Sequence, residues 1–208
     1  MEEEPQEEFF YCSGAATQLL KLGSVDCWPK DDSNTSSRVL FLIIPGNPGI
    51  VCYYKHFMQI LHKILMQKYP VWAISHAGHC IPPEGMGMME DVELEDVFGL
   101  NGQIAHKLAF LRKNVPKANA MYMGSQEMMQ VVQRDNSTIK HFLNKLIFYY
   151  GSNDHWCPVT YYEDMKRCFP EGTILLCQKG IRHAFVLDAN VEVAHMVTEW
   201  LKADLANL

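Results

Sequence analysis

Two polar residues at the ends of predicted strands could carry out acid–base chemistry in this chain. Asp154 follows the apolar run 145–150, and His183 follows the run 173–177. In an open α/β sheet, sites form where the carboxyl ends of parallel strands meet. A carboxylate that holds an imidazole in one tautomer is the partner that a general base needs. We therefore predict Asp154 as the acid and His183 as the base of a hydrolytic triad, the alternatives being a helix cap and an ordinary loop histidine.

The segment Pro45–Gly49 could stabilise a developing negative charge. It follows the apolar run 38–44 directly. Its glycines allow close approach of a backbone, and Asn47 has a backbone N–H that Pro48 lacks. The candidate oxyanion donor is therefore the N–H of Asn47, and the alternative is a plain Pro/Gly turn.

The nucleophile that such a triad would serve is absent. Gly-x-Ser-x-Gly, which holds a serine on a strained strand-to-helix turn, does not occur in the 208 residues. Ser125 follows a glycine, but no predicted strand leads into it, and we interpret it as a helix N-cap. Ser75 is interpreted as the polar end of a strand. Cys157 lies near Asp154 in sequence, but nothing except His155 would activate it, and buried, inert cysteines are commoner.

Histidines offer a second kind of chemistry, metal binding. His76 and His79 are three residues apart, and His155 and His183 could complete a set. The spacing is not on a predicted helix, and neither cysteines nor carboxylates frame it as in known zinc sites. We predict no metal and no other cofactor.

Composition excludes several classes of protein. Hydrophobic residues make up 48% and charged residues 20% of the chain, which indicates a globular protein, predicted as a single domain over 1–208. The net charge of −6 argues against nucleic acid as a partner. Seven cysteines without paired spacing and a start without a signal peptide favour reduced thiols in a cytosol-facing protein. No apolar run is long enough for a transmembrane segment.

Strand and helix patterns alternate along most of the chain. The predicted strands are a pair over 9–22 and single strands over 38–44, 71–75, 145–150 and 173–177; the predicted helices cover 53–68, 100–115, 126–132, 158–168 and the chain from about 191. This alternation predicts an α/β fold with a mainly parallel sheet and helices on both faces. In the helix 100–115, the predicted buried face is Ile104, Leu108, Leu111 and Val115. The alternation breaks near 117, where one helix follows another.

Long stretches of this sequence resemble the lipid droplet-associated hydrolases of the α/β-hydrolase superfamily. The matching stretches are 41–49 (FLIIPGNPG), 70–79 (PVWAISHAGH), 99–112 (GLNGQIAHKLAFLR), 124–129 (GSQEMM), 148–158 (FYYGSNDHWCP) and 182–185 (RHAF). The resemblance implies a serine ester hydrolase of neutral lipid, such as cholesteryl ester or triacylglycerol, at the surfaces of lipid droplets and endoplasmic reticulum. It implies Asp154 as the triad acid and His183 as the base.

The chain departs from the family pattern between Lys117 and Ala118. The family has there a strand with its Gly-His-Ser-x-Gly elbow, the following helix, the next strand and an apolar cap. The resemblance therefore implies a truncated α/β-hydrolase without its central strands, such as a splice variant that is catalytically inactive. Such a variant would bind neutral lipid esters, a droplet surface or a protein partner, and without the apolar cap its location could be cytosolic.

Loss of a central strand would leave two apolar strands without a neighbour. Such edges invite aggregation. We predict that the strand at Val39–Ile44 pairs directly with the strand at Leu146–Tyr150, which gives a smaller parallel sheet.

Overall fold

The computed structural model describes residues 3–25, 39–89, 97–114 and 134–206, which fall into two compact units. The first comprises Met1–Met129 and Asn190–Leu208, and the second Gln130–Ala189. The predicted helix 126–132, Ser125 and the junction at 117–118 lie outside the described residues.

The strands and α-helices of the described residues follow the chain in this order: β1 (Gln6–Cys12), β2 (Ala15–Leu22), β3 (Phe41–Ile43), α1 (Lys55–Ile64), β4 (Val71–Ile74), α2 (Leu100–Asn114), α3 (Asn136–His141), β5 (Ile147–Gly151), α4 (Val159–Cys168), β6 (Thr173–Cys177) and α5 (Asn190–Ala206). Short 3-10 helices lie at Val51–Tyr54, Leu143–Lys145 and Phe185–Leu187.

The first unit is built on a four-stranded mixed sheet in the order β1-β2-β4-β3. β1 and β2 form an antiparallel hairpin. Its turn residues Ser13 and Gly14 have φ of 50° and 73°, the positive values that suit the twist of a two-residue hairpin. β4 is antiparallel to β2 and parallel to β3.

Helices cover both faces of this sheet. Leu19, Trp72 and Ile74 share one face and form a core cluster with Phe110 of α2. The alternate residues of β2, such as Leu20, point to the opposite face because side chains alternate along a strand. α1 contacts β2 and β4 and also packs on α5. β2 and β4 are therefore held between two helical layers.

The second unit is a βαβ unit with a short helix before it. β5 and β6 are parallel, in the register Ile147↔Thr173 to Gly151↔Cys177, and α4 connects them. Its core cluster consists of Ile139, Met165, Phe169 and Ile174. The carboxyl ends of both strands thus lie at one edge, as expected for parallel pairing.

The structure confirms the α/β class and most of the predicted elements. The predicted pairing of Val39–Ile44 with Leu146–Tyr150 is wrong, because β3 and β5 belong to different sheets in the described part of the chain. Each instead pairs with the strand that follows it through one helix, β3 with β4 and β5 with β6. A single helical crossover brings two parallel strands side by side, and no such connection joins β3 to β5.

From the sequence we predict no transmembrane segment, because no apolar run is long enough. Within the described ranges, no helix combines the length and the hydropathy that crossing a membrane requires.

Candidate active site

Asp154 uses its two carboxylate oxygens for different tasks. Oδ1 accepts hydrogen bonds from the backbone N–H groups of Trp156 at 2.8 Å and Cys157 at 3.1 Å. These bonds close the turn that follows β5. Oδ2 lies 2.8 Å from Nδ1 of His183. Asp154 does not cap α4, whose N-cap is Pro158, without a side-chain cap bond. The turn therefore fixes the carboxylate, and its free oxygen holds the imidazole.

His183 is presented outward from the loop that follows β6. Its side chain is 62% exposed, whereas that of Asp154 is 6% exposed. An ion pair between Arg182 and Asp188 ties the loop beside it. Because a carboxylate can only accept, Nδ1 carries the proton, and Nε2 is left with a lone pair. This is the tautomer and the exposure that a general base requires.

Gly151 permits the close approach of these two loops. A Cβ at this position would lie 3.0 Å from Cβ of Asp154 and 3.3 Å from the carbonyl oxygen of Ile181. Both contacts are too short for a side chain without displacement of a neighbour. The absence of a side chain at the last residue of β5 therefore brings the Asp154 turn against the loop that carries His183.

The pKa of Asp154 is lowered from its ordinary value of 3.8. Burial, the largest single influence, raises this pKa, since it disfavours the charged form. The hydrogen bond from His183 and the N–H groups of Trp156 and Cys157 together outweigh burial and lower it. Asp154 is therefore a carboxylate at neutral pH, as an orienting acid must be.

The candidate oxyanion loop forms a tight turn in the first unit. The N–H of Gly49 donates to the carbonyl oxygen of Gly46 at 2.7 Å. Gly49 has φ of +78°, and a Cβ there would lie 2.6 Å from His76. Asn47 is exposed, and among the described residues its N–H has no recorded acceptor. The loop has the form of a Pro/Gly turn, and the role of Asn47 as an oxyanion donor stays a prediction.

The loop after β4 holds this turn in place. The N–H of His76 donates to the carbonyl oxygen of Gly49 at 3.0 Å, and Nδ1 of His79 donates to the carbonyl oxygen of Pro48. Gln103 of α2 bonds both backbone groups of Ala77, at 2.7 Å and 3.2 Å. One amide side chain thus anchors the segment that supports the candidate oxyanion loop.

Neither Ser75 nor Cys157 has the surroundings of an activated nucleophile. Ser75 is fully buried, and its Oγ accepts the N–H of Gln18 at 3.0 Å, which confirms its interpretation as a polar strand end. Burial, with the Asp154 carboxylate beside it, raises the pKa of the Cys157 thiol, so the thiol is not activated.

Two of the four histidines considered as metal ligands, His79 and His183, have separate hydrogen-bond partners. His79 bonds Pro48, and His183 bonds Asp154. The buried Nδ1 of His76 has no hydrogen-bond partner among the residues that the structure describes. No cluster of three or more metal-ligating side chains occurs within the described ranges.

A buried polar cluster on α2 was not predicted from the sequence. Lys107 is 5% exposed and donates to Nδ1 of His106 at 2.9 Å, whose Nε2 lies 2.7 Å from Oγ1 of Thr17. Thr17 in turn donates to the carbonyl oxygen of Ala15. Each hydrogen bond of the cluster therefore has a defined donor and acceptor, from Lys107 to His106, then to Thr17 and to Ala15.

The buried face of α2 differs from the predicted one. Ile104 is buried, but Leu108 and Leu111 are only half-buried, and Val115 is outside the described residues. The buried face is centred instead on Gln103, His106, Lys107 and Phe110.

The only feature of the sequence that indicates this cluster is the spacing of its residues along α2. Gln103, His106, Lys107 and Phe110 lie at i, i+3, i+4 and i+7, which is one helix face. Three of the four are polar, and hydropathy therefore assigned them to solvent.

Comparison with known proteins identifies the family. The sequence pattern of the lipid-droplet associated hydrolases matches residues 37–119 and 117–186, two segments that meet at 117–119. The chain is 40% identical to a lipid droplet-associated hydrolase of Gallus gallus, over 99% of this chain and 98% of that protein. It is 34% identical to the one of Homo sapiens, over 97% of this chain and 96% of that protein. The alignment with the Gallus gallus protein runs over 319 residues, which exceeds the 208 residues of this chain by 111, so the relative has a segment that this chain lacks.

Solved structures show the same fold. A CIB-like hydrolase from Thermoplasma acidophilum is similar with a TM-score of 0.60 at 17% identity, over 96% of this chain and 98% of that chain. An epoxide hydrolase from Vigna radiata is similar with a TM-score of 0.55 at 12% identity, over 98% of this chain and 99% of that chain. From the family match and these neighbours, the chain belongs to the lipid-droplet associated hydrolase family and has a shortened α/β-hydrolase fold.

Proposed function

We propose that Asp154 and His183 are the acid and base of a serine ester hydrolase site and that this chain lacks the nucleophile the pair would serve. The observation that carries the proposal is the 2.8 Å bond from Nδ1 of His183 to a buried carboxylate. It leaves Nε2 as an exposed acceptor at the carboxyl edge of a parallel strand pair. In a complete site, Nε2 takes the serine proton during attack on the ester carbonyl and returns it to the leaving alcohol.

The substrate class of the proposal follows the names of the relatives. They are lipid droplet-associated hydrolases, and we take neutral lipid esters as the substrates and droplet or endoplasmic reticulum surfaces as the location of the complete enzyme. In the tetrahedral intermediate, the N–H of Asn47 would donate to the oxyanion. Each of these roles is part of the proposal.

The proposal that this chain is inactive depends on the absence of the nucleophile motif and of the residues around it. Gly-x-Ser-x-Gly is absent from the sequence. The two family segments meet at 117–119, and the relative has additional residues. Both findings support a deletion that took the nucleophile elbow from a single α/β-hydrolase domain. A hydroxyl that is not held on the elbow does not meet the base in line with an oxyanion donor, so hydrolysis is lost although the acid–base pair remains.

A fluorophosphonate probe tests this proposal. The natural chain is compared with a form in which the missing segment of the Gallus gallus relative is inserted between Lys117 and Ala118. We expect no labelling of the natural chain and strong labelling of the restored form. In the restored form, His183→Ala should abolish labelling, whereas His155→Ala, which removes a neighbouring exposed histidine, should not.

Two results would overturn the proposal. One is labelling of the natural chain that disappears on replacement of Ser75 or Ser125, since this would reveal a substitute nucleophile. The other is a restored form whose labelling is unaffected by His183→Ala. Ester turnover by the natural chain, measured with a short-chain nitrophenyl ester, serves as an independent readout of the first result.

A second candidate function is binding without catalysis, of a lipid or a partner. The observation that favours it is an open cavity of about 760 Å³ in the first unit, which does not require a nucleophile. In this role the chain would act at a droplet surface or in the cytosol.

A further inference from the structure

The cavity lies on the face of the β1–β2 hairpin next to the loops that follow β3 and β4. Its volume of about 760 Å³ falls within the roughly 300–1,000 Å³ of small-molecule sites. Its walls are mostly apolar side chains, which are Phe9, Pro48, Ile50, Tyr53 and Ile81. The cavity therefore offers the apolar part of a small ligand a surface that is partly sheltered from water.

A small polar network lines the cavity and runs from the buried Gln18 to the exposed Glu7 and Cys52. Gln18 is 4% exposed, and its Nε2 donates to Oε1 of Glu7 and to the sulfur of Cys52, the latter at 3.3 Å. The Cys52 thiol donates back to Oε1 of Gln18 at 3.7 Å. The amide of Gln18 thus has partners of its own. The carboxylate of Glu7 can accept further hydrogen bonds, because it engages Gln18 through one oxygen.

The charge of Glu7 is not matched by a cation. Within the described ranges, Glu7 takes part in no ion pair, whereas the next residue, Glu8, pairs with Lys21. Successive side chains of a strand point to opposite faces, so Glu8 and Lys21 lie on the face of β1 away from the cavity. The cavity therefore has one carboxylate, that of Glu7, without an ion-pair partner among the described residues. The carboxylate of Glu8, which pairs with Lys21, lies on the opposite face of the strand.

We propose that this cavity binds an amphiphile whose apolar chain lies against Phe9, Ile50 and Tyr53 and whose head group donates a hydrogen bond to Glu7. Hydroxyl and ammonium heads satisfy this requirement. A carboxylate head does not, because two like charges would meet at the same end of the site. The site uses neither Asp154 nor His183, so it is independent of the proposed hydrolase chemistry and rests on the proposed binding role of the same cavity.

Three twelve-carbon probes that differ in head group test the proposal: 1-monolaurin, dodecylamine and dodecanoate, each below its aggregation threshold. Cys52 is exposed and lines the cavity, so binding should slow its alkylation by iodoacetamide, measured by mass spectrometry on the full chain. Cys168 is exposed in the second unit and serves as the internal control.

We expect monolaurin and dodecylamine to protect Cys52 but not Cys168. Dodecanoate should need about tenfold higher concentration, equivalent to about 1.4 kcal/mol. Glu7→Gln should bring dodecanoate within about twofold of monolaurin, while Glu8→Gln should leave the order of the probes unchanged. Stronger protection by dodecylamine than by monolaurin would identify the ammonium as the preferred donor, and the reverse would identify the hydroxyl.

Three outcomes would overturn the proposal: no protection of Cys52 by any probe, equal protection by all three in the natural chain, or an effect of Glu8→Gln equal to that of Glu7→Gln. Tyr53→Ala, at a position that is 51% exposed, should weaken the binding of all three probes together. Unchanged protection of Cys52 in Tyr53→Ala would also overturn the proposal, because the apolar chain would then not lie against Tyr53.

Discussion

Replacement of Lys107 by methionine removes a cation that the fold buries at a cost. Burial, the dominant influence, lowers the pKa of this amine from 10.5 to about 7, and the neighbouring Cys12 acts in the opposite direction. Nζ of Lys107 donates to Nδ1 of His106 at 2.9 Å and to Oε1 of Gln103 at 3.5 Å. Both are neutral acceptors. Methionine has a similar unbranched shape without the charge, so the substitution tests the electrostatic cost with little change in packing.

The magnitude follows from the displacement of the pKa. A shift from 10.5 to about 7, at about 1.4 kcal/mol per unit, makes the charged amine about 5 kcal/mol less favourable in the folded than in the unfolded chain. The lost hydrogen bonds and the unpaired Nδ1 of His106 offset about 2–4 kcal/mol of this. At pH 6.5, Lys107→Met should therefore raise the free energy of unfolding by about 1–3 kcal/mol.

The pH dependence is the sharper part of this prediction. Below pH 7 the amine is protonated in both states and the full penalty applies. Between pH 7 and 10.5 the unfolded state binds more protons than the folded state, so the stability of the natural chain rises by up to about 1.4 kcal/mol per pH unit. His76 and His106, with pKa values lowered to about 4 and about 3, stay neutral in this window. The Cys12 thiol, whose pKa burial raises, is present in both variants.

Urea unfolding followed by far-ultraviolet circular dichroism between pH 6.5 and 9.5, under reducing conditions, provides the assay. The advantage of Lys107→Met over the natural chain should shrink steadily as the pH rises. Lys113→Met, at an exposed lysine of the same helix, should track the natural chain at every pH. Parallel pH profiles for Lys107→Met and the natural chain would refute the reasoning, since they would mean that Lys107 keeps an ordinary pKa.

Further predictions concern the two loops of the candidate site. Gly49→Ala should destabilise the first unit by about 1–3 kcal/mol, because φ is +78° and a Cβ would lie 2.6 Å from His76. Gly46→Ala is the control, since nothing lies within 4 Å of its Cβ. In the same urea assay, its free energy of unfolding should be within about 0.5 kcal/mol of that of the natural chain. In Asp154→Ala, the imidazole nitrogen resonances of His183 should lose the Nδ1–H tautomer, and an unchanged spectrum would contradict the orienting bond. The lowered pKa of Asp154 stabilises the fold above the unfolded value, so this contribution is lost as the pH falls through the folded pKa. The free energy of unfolding of Asp154→Ala should therefore fall less steeply below pH 4 than that of the natural chain.

Element types could be predicted where the pattern was long or continuous. Val71–Ile74 is buried at all four positions, and its uninterrupted apolar run identified a covered strand. Helix α3 was missed because Asp135-Asn-Ser-Thr has the composition of a turn. In the structure, Asp135 accepts the N–H groups of Ser137 and Thr138, so the same polar residues act as a helix cap. Short helices of this kind depend on capping and on the packing of one residue, Ile139, rather than on periodicity.

The polar residues of α2 show why the buried face of a helix can escape prediction. Hydropathy assigns Gln103, His106 and Lys107 to solvent, yet all three are buried. Their partners are Thr17 on β2 and the backbone of Ala77 after β4, which are distant in sequence. A buried polar group is tolerated only where such partners exist. A hydropathy pattern does not show which distant residues these partners are.

The amino-acid sequence by itself determined the α/β class, the family and the candidate acid–base pair, because apolar runs, motif stretches and residue order are local properties of the chain. Only the tertiary structure decided that His183 and Asp154 meet at 2.8 Å, since this depends on the absence of a Cβ at Gly151 and on the register of β5 with β6. The tertiary structure also decided the strand partners, since β3 pairs with β4 and β5 pairs with β6. Pairing is a contact between distant segments, and helical crossovers, rather than the apolar character of a strand, select its neighbour.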